Sequence, residues 1–95
     1  MPKFTTRVQL NGNPTWDDYT RLHAAMRAQG FSQAITDTQG AVYQLPHAEY
    51  NLESTLSRKE VLSSAKQAAV TVWSDFSILV TQSAGRTWEN LKKIT

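Results

Sequence analysis

The chain has 95 residues, enough for one domain, and a chain this short buries only about 60–65% of the surface that its unfolded form exposes. With 40% hydrophobic and 19% charged residues, it has the composition of a globular protein rather than a disordered or fibrous one. The sequence contains no cysteine, which excludes disulfides, thiolate nucleophiles and thiolate metal sites. Its net charge of +2 permits nucleic-acid binding without requiring it.

The N-terminus carries no recognisable targeting signal. Met1, Pro2 and Lys3 lead directly into alternating polar and apolar residues, and the longest apolar runs are far too short to cross a bilayer. We therefore expect a cytoplasmic protein that has no membrane partner.

The first third of the chain predicts a strand followed by a helix. Residues 4–10 alternate with period two, which is typical of a half-buried strand. Thr15 is expected to cap a helix that ends near Gly30, with Leu22 and Met26 in its apolar stripe.

The middle of the chain predicts a hairpin with an irregular third strand. Residues 33–36 and 41–45 are strand-like runs separated by a turn that ends in Gly40. Pro46 cannot donate a ladder hydrogen bond, so the third strand should bend there or lie at an edge, and its alternation resumes at residues 49–52.

The last third predicts a second helix, a strand and a short tail. Ser57 and Glu60 have the spacing of a capping box, and residues 76–81 form the most apolar strand. Residues 83–95 form a C-terminal extension, either a short helix or an added edge strand.

This order of elements predicts a ferredoxin-like α+β fold, β-α-β-β-α-β, spanning residues 1–95 as a single domain. We expect one antiparallel four-stranded sheet with both helices on one face. The predicted core consists of Phe4, Val8, Leu22, Met26, Ile35, Val61, Ala65, Ala68, Ile78 and Val80.

Metal and cofactor chemistry has little support in the sequence. His23 and His47 do not belong to a ligand-spaced motif, and Asp17 and Asp18 lie where first-turn carboxylates serve a helix N-terminus. No glycine-rich phosphate loop or nucleophile elbow occurs. We therefore predict no metal site and no cofactor.

Nucleic acid is the better-supported ligand. The first strand has no outward aromatic residue, so an RNA-recognition motif of the base-stacking type is not expected. The candidate RNA-binding residues are the cations Arg7, Arg21, Arg27 and Arg86. The alternative for each is an ordinary solvated surface position.

The tryptophans allow two interpretations. Trp16 at the start of the first helix and Trp88 in the tail are candidate anchors of a protein interface. Alternatively, each covers an open edge of the small core.

Several segments together resemble the GhoS family of small bacterial proteins. They are Tyr19-x-x-Leu22-x-x-x-Met26, then Gly30-Phe31, an acidic turn that ends in Gly40, and Gln44-Leu45. The resemblance follows the element order over nearly the whole chain. It implies a type V antitoxin with a ferredoxin-like fold similar to Cas2 proteins, an endoribonuclease that cuts the messenger RNA of its toxin.

The resemblance also implies roles for particular residues. Cleavage of single-stranded RNA would need no cofactor, because the 2′-hydroxyl of the RNA can serve as the nucleophile. Arg21 matches one arginine of the family's first helix, and His23 stands where another would be. His23 is therefore the candidate catalytic residue, acting as general acid–base.

A second function of a different class fits the same fold. A non-catalytic, dimeric protein-binding module, such as a phage-encoded inhibitor of a host defence system, needs no catalytic constellation. A homodimer is expected in either case, since the core is small for the number of large aromatic residues.

Overall fold

A computed structural model of the protein describes residues 1–94. Within that range the chain forms five strands and two helices. In chain order they are β1 (Lys3–Leu10), α1 (Trp16–Ala28), β2 (Ala34–Thr36), β3 (Val42–Gln44), β4 (Glu49–Glu53), α2 (Arg58–Val70) and β5 (Phe76–Gln82). Neither helix in the described range is long and apolar enough to span a membrane.

The main sheet has three antiparallel strands in the order β4-β1-β5. In the central strand, the predicted alternation places Phe4, Thr6, Val8 and Leu10 on the buried face. Leu79 of β5 lies on the opposite face and remains largely exposed. One face of the sheet therefore carries the core.

Both helices begin with the side-chain caps that the sequence predicts. Thr15 and Asp18 form a capping box at α1, and Ser57 and Glu60 form one at α2. Each box satisfies backbone N–H groups that a helix N-terminus would otherwise leave without partners. Gly30 follows α1 with a φ of 93°, a left-handed conformation that glycine adopts without the strain of a side chain.

The helices pack on the same face of the main sheet. The core contains residues of β1, β4, α1 and α2 in one continuous cluster. Its fully buried members include Phe4, Val8, Leu22, Met26 and Tyr50. The α+β class, with two helices and antiparallel sheets, is thus confirmed.

The predicted single four-stranded sheet is not what the chain forms. The hairpin strands β2 and β3 make a separate two-stranded sheet, and the expected third strand is broken into β3 and β4. Pro46 lacks an N–H group, and Ala48 has a φ of 67°, which is incompatible with a regular strand. The bend that the sequence predicted at the proline is therefore a complete break.

The register of the two strand pairs shows how large the break is. Ser32 pairs with Asn51 in an isolated bridge, so an uninterrupted antiparallel ladder would pair Ala34 with Glu49. Ala34 instead pairs with Gln44, five positions earlier. The intervening residues leave the ladder as a loop, which carries His47 to the surface of α1.

The C-terminal extension returns to the hairpin. Gln44 donates its N–H to the carbonyl of Lys92 at 2.9 Å, and Ile94 donates to that of Val42 at 2.7 Å. A bridge between Tyr43 and Lys93 connects the tail to β3 in antiparallel orientation. The tail thus adds a short paired segment at the edge of β3.

Three of the predicted core residues are not buried members of the core cluster. Ile35 is buried, but it lies outside the cluster between the helices and the main sheet, because β2 does not join that sheet. Ile78 and Val80 are only half-buried and pack at the margin of the cluster, since β5 is an edge strand.

Candidate functional site

Five aromatic and imidazole rings form a histidine–aromatic cluster that extends from the exposed start of α1 to a buried position of β4. It consists of Trp16, Tyr19, His23, His47 and Tyr50. The ring centroids of His23 and His47 are 5.5 Å apart, and that of Tyr19 is 4.4 Å from that of His47. The two histidines of the chain, 24 positions apart in sequence, are therefore neighbours in space.

A hydrogen bond to a buried tyrosine holds the imidazole of His23 in position. Its Nδ1 atom is 2.6 Å from Oη of Tyr50, whose side chain is fully buried. Burial, and secondarily the neighbouring Tyr19, raises the pKa of the Tyr50 phenol well above its usual range. Tyr50 therefore remains a neutral hydrogen-bonding partner and leaves Nε2 of His23 as the ring nitrogen available to a ligand.

The protonation of His23 is biased toward the neutral form. Partial burial lowers the pKa of its imidazole below 6.5, and the positive charges of His47 and Arg27 lower it further. At neutral pH the ring is thus uncharged and able to accept a proton.

His23 lies at one end of a groove between α1 and the hairpin. The groove has a volume of about 390 Å³ and is also lined by Arg27, Ser32, Gln33 and Gln44. Its polar side chains are neutral except for the exposed guanidinium of Arg27. An imidazole beside a cation and several amide groups is a lining that suits a phosphate ester and its neighbouring sugar.

Comparison with known proteins gives a family match. A family model described as Endoribonuclease GhoS matches residues 8–93. The chain belongs to the GhoS family. The matched segment includes the whole histidine–aromatic cluster and most of the groove lining. The resemblance seen in the sequence is confirmed, while no curated protein matches the chain.

The structure separates the four cations that the sequence singled out for RNA binding. Arg27 lines the groove beside His23. Arg21 lies six positions before Arg27 on α1 and forms an ion pair with Asp18. Arg7 is exposed on the face of the main sheet opposite the core.

Asp18 serves the helix more than it serves a ligand. The backbone N–H of Thr15, in the capping box, lowers the pKa of the Asp18 carboxyl, with smaller contributions from the Thr15 hydroxyl and Arg21. Arg21 is thereby engaged at the helix start and is not free to face the groove.

Arg86 faces the interior instead of the groove. Its Nη2 donates to the carbonyl oxygen of Phe4 at 3.0 Å, and its Nε is buried without a partner. Burial lowers the pKa of the guanidinium, and Glu53 opposes that shift. The residue borders a second cavity of about 520 Å³ between the N-terminus, the β2–β3 turn and the tail. Its main contact connects the tail to the first strand.

The two candidate interface tryptophans have different surroundings. Trp16 is 76% exposed and stacks on His47. Trp88 is half-buried and packs on Tyr43, with ring centroids 5.4 Å apart. The sequence could not distinguish these positions.

Sequence reasoning missed His47 and the role of Tyr50. The sequence shows His47 only as a histidine outside any ligand-spaced motif, and it gives no reason to pair His23 with Tyr50. The available signal was Pro46, because a proline that breaks a strand forces the next residue out of the ladder. Where that residue then lies depends on long-range packing. Among residues 1–94, no three histidine, aspartate or glutamate side chains are grouped so that they could hold a metal ion.

Proposed function

We propose that this protein is an endoribonuclease that cleaves single-stranded RNA without a metal ion, with His23 and His47 as the groups that transfer protons. The observation that carries the proposal is that His23, which lines the groove with Arg27, has the imidazole of His47 5.5 Å away. Two adjacent imidazoles can supply both the proton acceptor and the proton donor that the reaction needs.

The reaction uses the RNA's own nucleophile. Neutral His23 accepts the proton of the 2′-hydroxyl through Nε2, and the resulting oxyanion attacks the adjacent phosphorus. The bond from phosphorus to the 5′ oxygen breaks, and His47 gives a proton to that leaving oxygen. The products are a 2′,3′-cyclic phosphate and a free 5′-hydroxyl. Arg27 stabilises the charge that builds up on the phosphate oxygens.

Tyr50 has a positioning role in this scheme. When Nδ1–H of His23 donates a hydrogen bond to Tyr50 Oη, the proton is absent from Nε2, whose lone pair can then act as the base. The buried phenol thus holds the ring in the tautomer that can act as a base. Its raised pKa keeps it from becoming a competing proton donor at neutral pH.

The proposed biological role follows from family membership. The matching family is one of endoribonucleases, and we propose that this chain acts as an antitoxin on the messenger RNA of a toxin partner in the cytoplasm. Nothing in the groove requires a particular base sequence, so the resemblance alone suggests that target.

The decisive test is cleavage of a labelled single-stranded RNA in the presence of EDTA. We expect His23→Ala and His47→Ala each to lower the cleavage rate about 10²–10⁴-fold. Replacing the 2′-hydroxyl at the cut site by hydrogen should abolish cleavage. Gln67→Ala, at an exposed position of α2, is the control and should retain the wild-type rate.

Two results would contradict the proposal. Cleavage that is unchanged in both histidine variants would place the activity elsewhere or in a contaminant. If no RNA is bound or cut, the non-catalytic protein-binding module becomes the better description. Dimerisation stays a prediction under either function, and sedimentation should then report a mass near twice 10.7 kDa.

A further inference from the structure

Trp16 has a large aromatic side chain that remains exposed to solvent in the folded protein. It is 76% exposed, yet its ring is not isolated. The imidazole of His47 stacks on it with centroids 4.8 Å apart and planes 13° from parallel. Tyr19 supports His47 from the side, at 4.4 Å. One face of the indole is therefore covered and most of its remaining surface is open.

Both rings of this stack are carried by backbone segments that hydrogen bonds tie to the rest of the fold. Trp16 is the first residue of α1 and lies within the capping box that Thr15 and Asp18 form. His47 lies in the loop between β3 and β4, where the carbonyl of the next residue, Ala48, accepts the N–H of Val8 at 3.0 Å. A stack fixed at both ends needs little ordering when a ligand binds, which favours affinity.

We propose that the Trp16–His47 stack is a platform for a nucleobase of the RNA strand, next to the phosphate that is cleaved. This inference rests on the proposed function and adds a base-binding subsite to it. The row of rings leads from Trp16 through His47 to His23, and the open face of the indole is the one turned away from His47. A base stacked there lies at the outer end of the row, and the RNA strand continues from it past the indole edge toward the imidazoles that handle the phosphate. Aromatic side chains bind unpaired bases of any sequence in this way.

The charges around the stack favour a base over a phosphate at this position. Asp17 follows Trp16 in the first turn of α1 and is exposed, so it repels a phosphate placed on the indole. The cation and the imidazoles lie farther along the row, at His23 and Arg27. A stacked base needs no charge, whereas the next phosphate does. The platform therefore predicts a preference for single strands, since bases within a duplex are already stacked on each other.

The test measures binding separately from cleavage. A short 2′-O-methyl RNA cannot be cut, because it lacks the nucleophile, and its affinity is measured by fluorescence anisotropy. Trp16→Ala should weaken binding about 5- to 150-fold, the range that corresponds to one stacked base. Trp16→Phe keeps an aromatic face and should stay within a few-fold of wild type. Leu79→Ala, an exposed apolar residue on the opposite sheet face, should bind normally.

A substrate change provides the second arm. An oligonucleotide with one abasic position at the platform should bind the wild type more weakly by a similar factor, but Trp16→Ala should show no further loss. With cleavable RNA, Trp16→Ala should raise KM more than it lowers kcat, whereas His23→Ala should lower kcat.

The outcomes separate the platform from the catalytic proposal. If Trp16→Ala weakens binding while neither the wild type nor any variant cleaves RNA, the platform stands and the nuclease proposal fails. If His23→Ala abolishes cleavage but Trp16→Ala leaves affinity and KM unchanged, the platform is overturned. If the wild type binds no RNA, both fail, and Trp16 is then better described as a protein-interface residue.

Discussion

The two walls of the groove beside His23 are held in place very differently. The α1 wall carries His23 and Arg27 and is anchored by Leu22 and Met26, which are fully buried in the core. The other wall consists of the β2–β3 hairpin and the tail. Its described residues are joined to the main sheet by the isolated bridge between Ser32 and Asn51 and by the hydrogen bond from Arg86 to the carbonyl of Phe4, and they form no continuous ladder with that sheet.

RNA cleavage requires one rigid wall and one adaptable wall, and the two walls differ in this way. Proton transfer needs ring nitrogens held within a fraction of an ångström, and the α1 wall provides the rigid support for that. A strand of variable sequence needs room to adapt, and the hairpin wall has few buried contacts to resist adaptation. The predictions below test whether the two walls differ in stability as their contacts indicate.

The largest effect is expected in the α1 wall. Leu22 has no exposed surface, so Leu22→Ala should lower the free energy of unfolding by about 2–5 kcal/mol. Leu79→Ala makes the same change at an exposed position and should cost less than about 0.5 kcal/mol. Urea unfolding of both variants measures the difference, and equal losses would show that the core is misassigned.

A smaller and more local effect is expected in the hairpin wall. Trp88→Ala removes the packing of the tail on Tyr43 and should cost about 0.5–1.5 kcal/mol. Amide exchange should accelerate at Gln44 and Ile94, since their N–H groups are bonded between the tail and β3, and should remain slow at Val8 in the core. Uniform acceleration in both regions would mean that the two walls unfold as one unit.

The α1 wall could be predicted from the sequence because its signals are local. The caps at Thr15 and Ser57 and the stripe through Leu22 and Met26 depend on residues three or four positions apart. The period-two alternation of β1 is local as well, and all of these elements lie where the sequence placed them.

The hairpin wall could not be predicted in the same way. Pro46 signals a break, but the five-residue shift in register depends on which strands pair across the chain. The meeting of His47 with His23 follows from that shift. The inward orientation of Arg86 likewise requires the tail to cross back to Phe4, which no short-range pattern encodes.

Arg21 and Arg27 allow a test of which part of α1 contacts the RNA, the helix start or the residues at the groove. Arg27 lines the groove, whereas Arg21 is paired with Asp18 at the helix start. Arg27→Gln should weaken binding of the 2′-O-methyl RNA and lower the slope of log affinity against log salt by about 0.7, the value for one phosphate of a single strand. Arg21→Gln, the matched control, should change the slope much less. A larger effect at Arg21 would move the RNA path toward the helix start.

The smallest effect concerns the pH dependence of stability, and His23 determines its sign. The folded protein lowers the pKa of His23 below 6.5, so between that lowered value and 6.5 the unfolded chain binds more protons than the folded one. Stability contributed by the neutral ring is therefore complete above pH 6.5 and is lost as the pH falls toward the folded pKa. Partial burial, Arg27 and His47 all act in this direction, and neutral Tyr50 leaves the sign unchanged.

We expect His23→Gln, which can retain a hydrogen bond to Tyr50, to flatten the dependence of unfolding free energy on pH between about 7.5 and 5.5. Urea titrations at three pH values in that window measure the slope. A steeper slope in His23→Gln than in the wild type would show that the fold favours the charged imidazole, and His23 would then act as proton donor instead of acceptor.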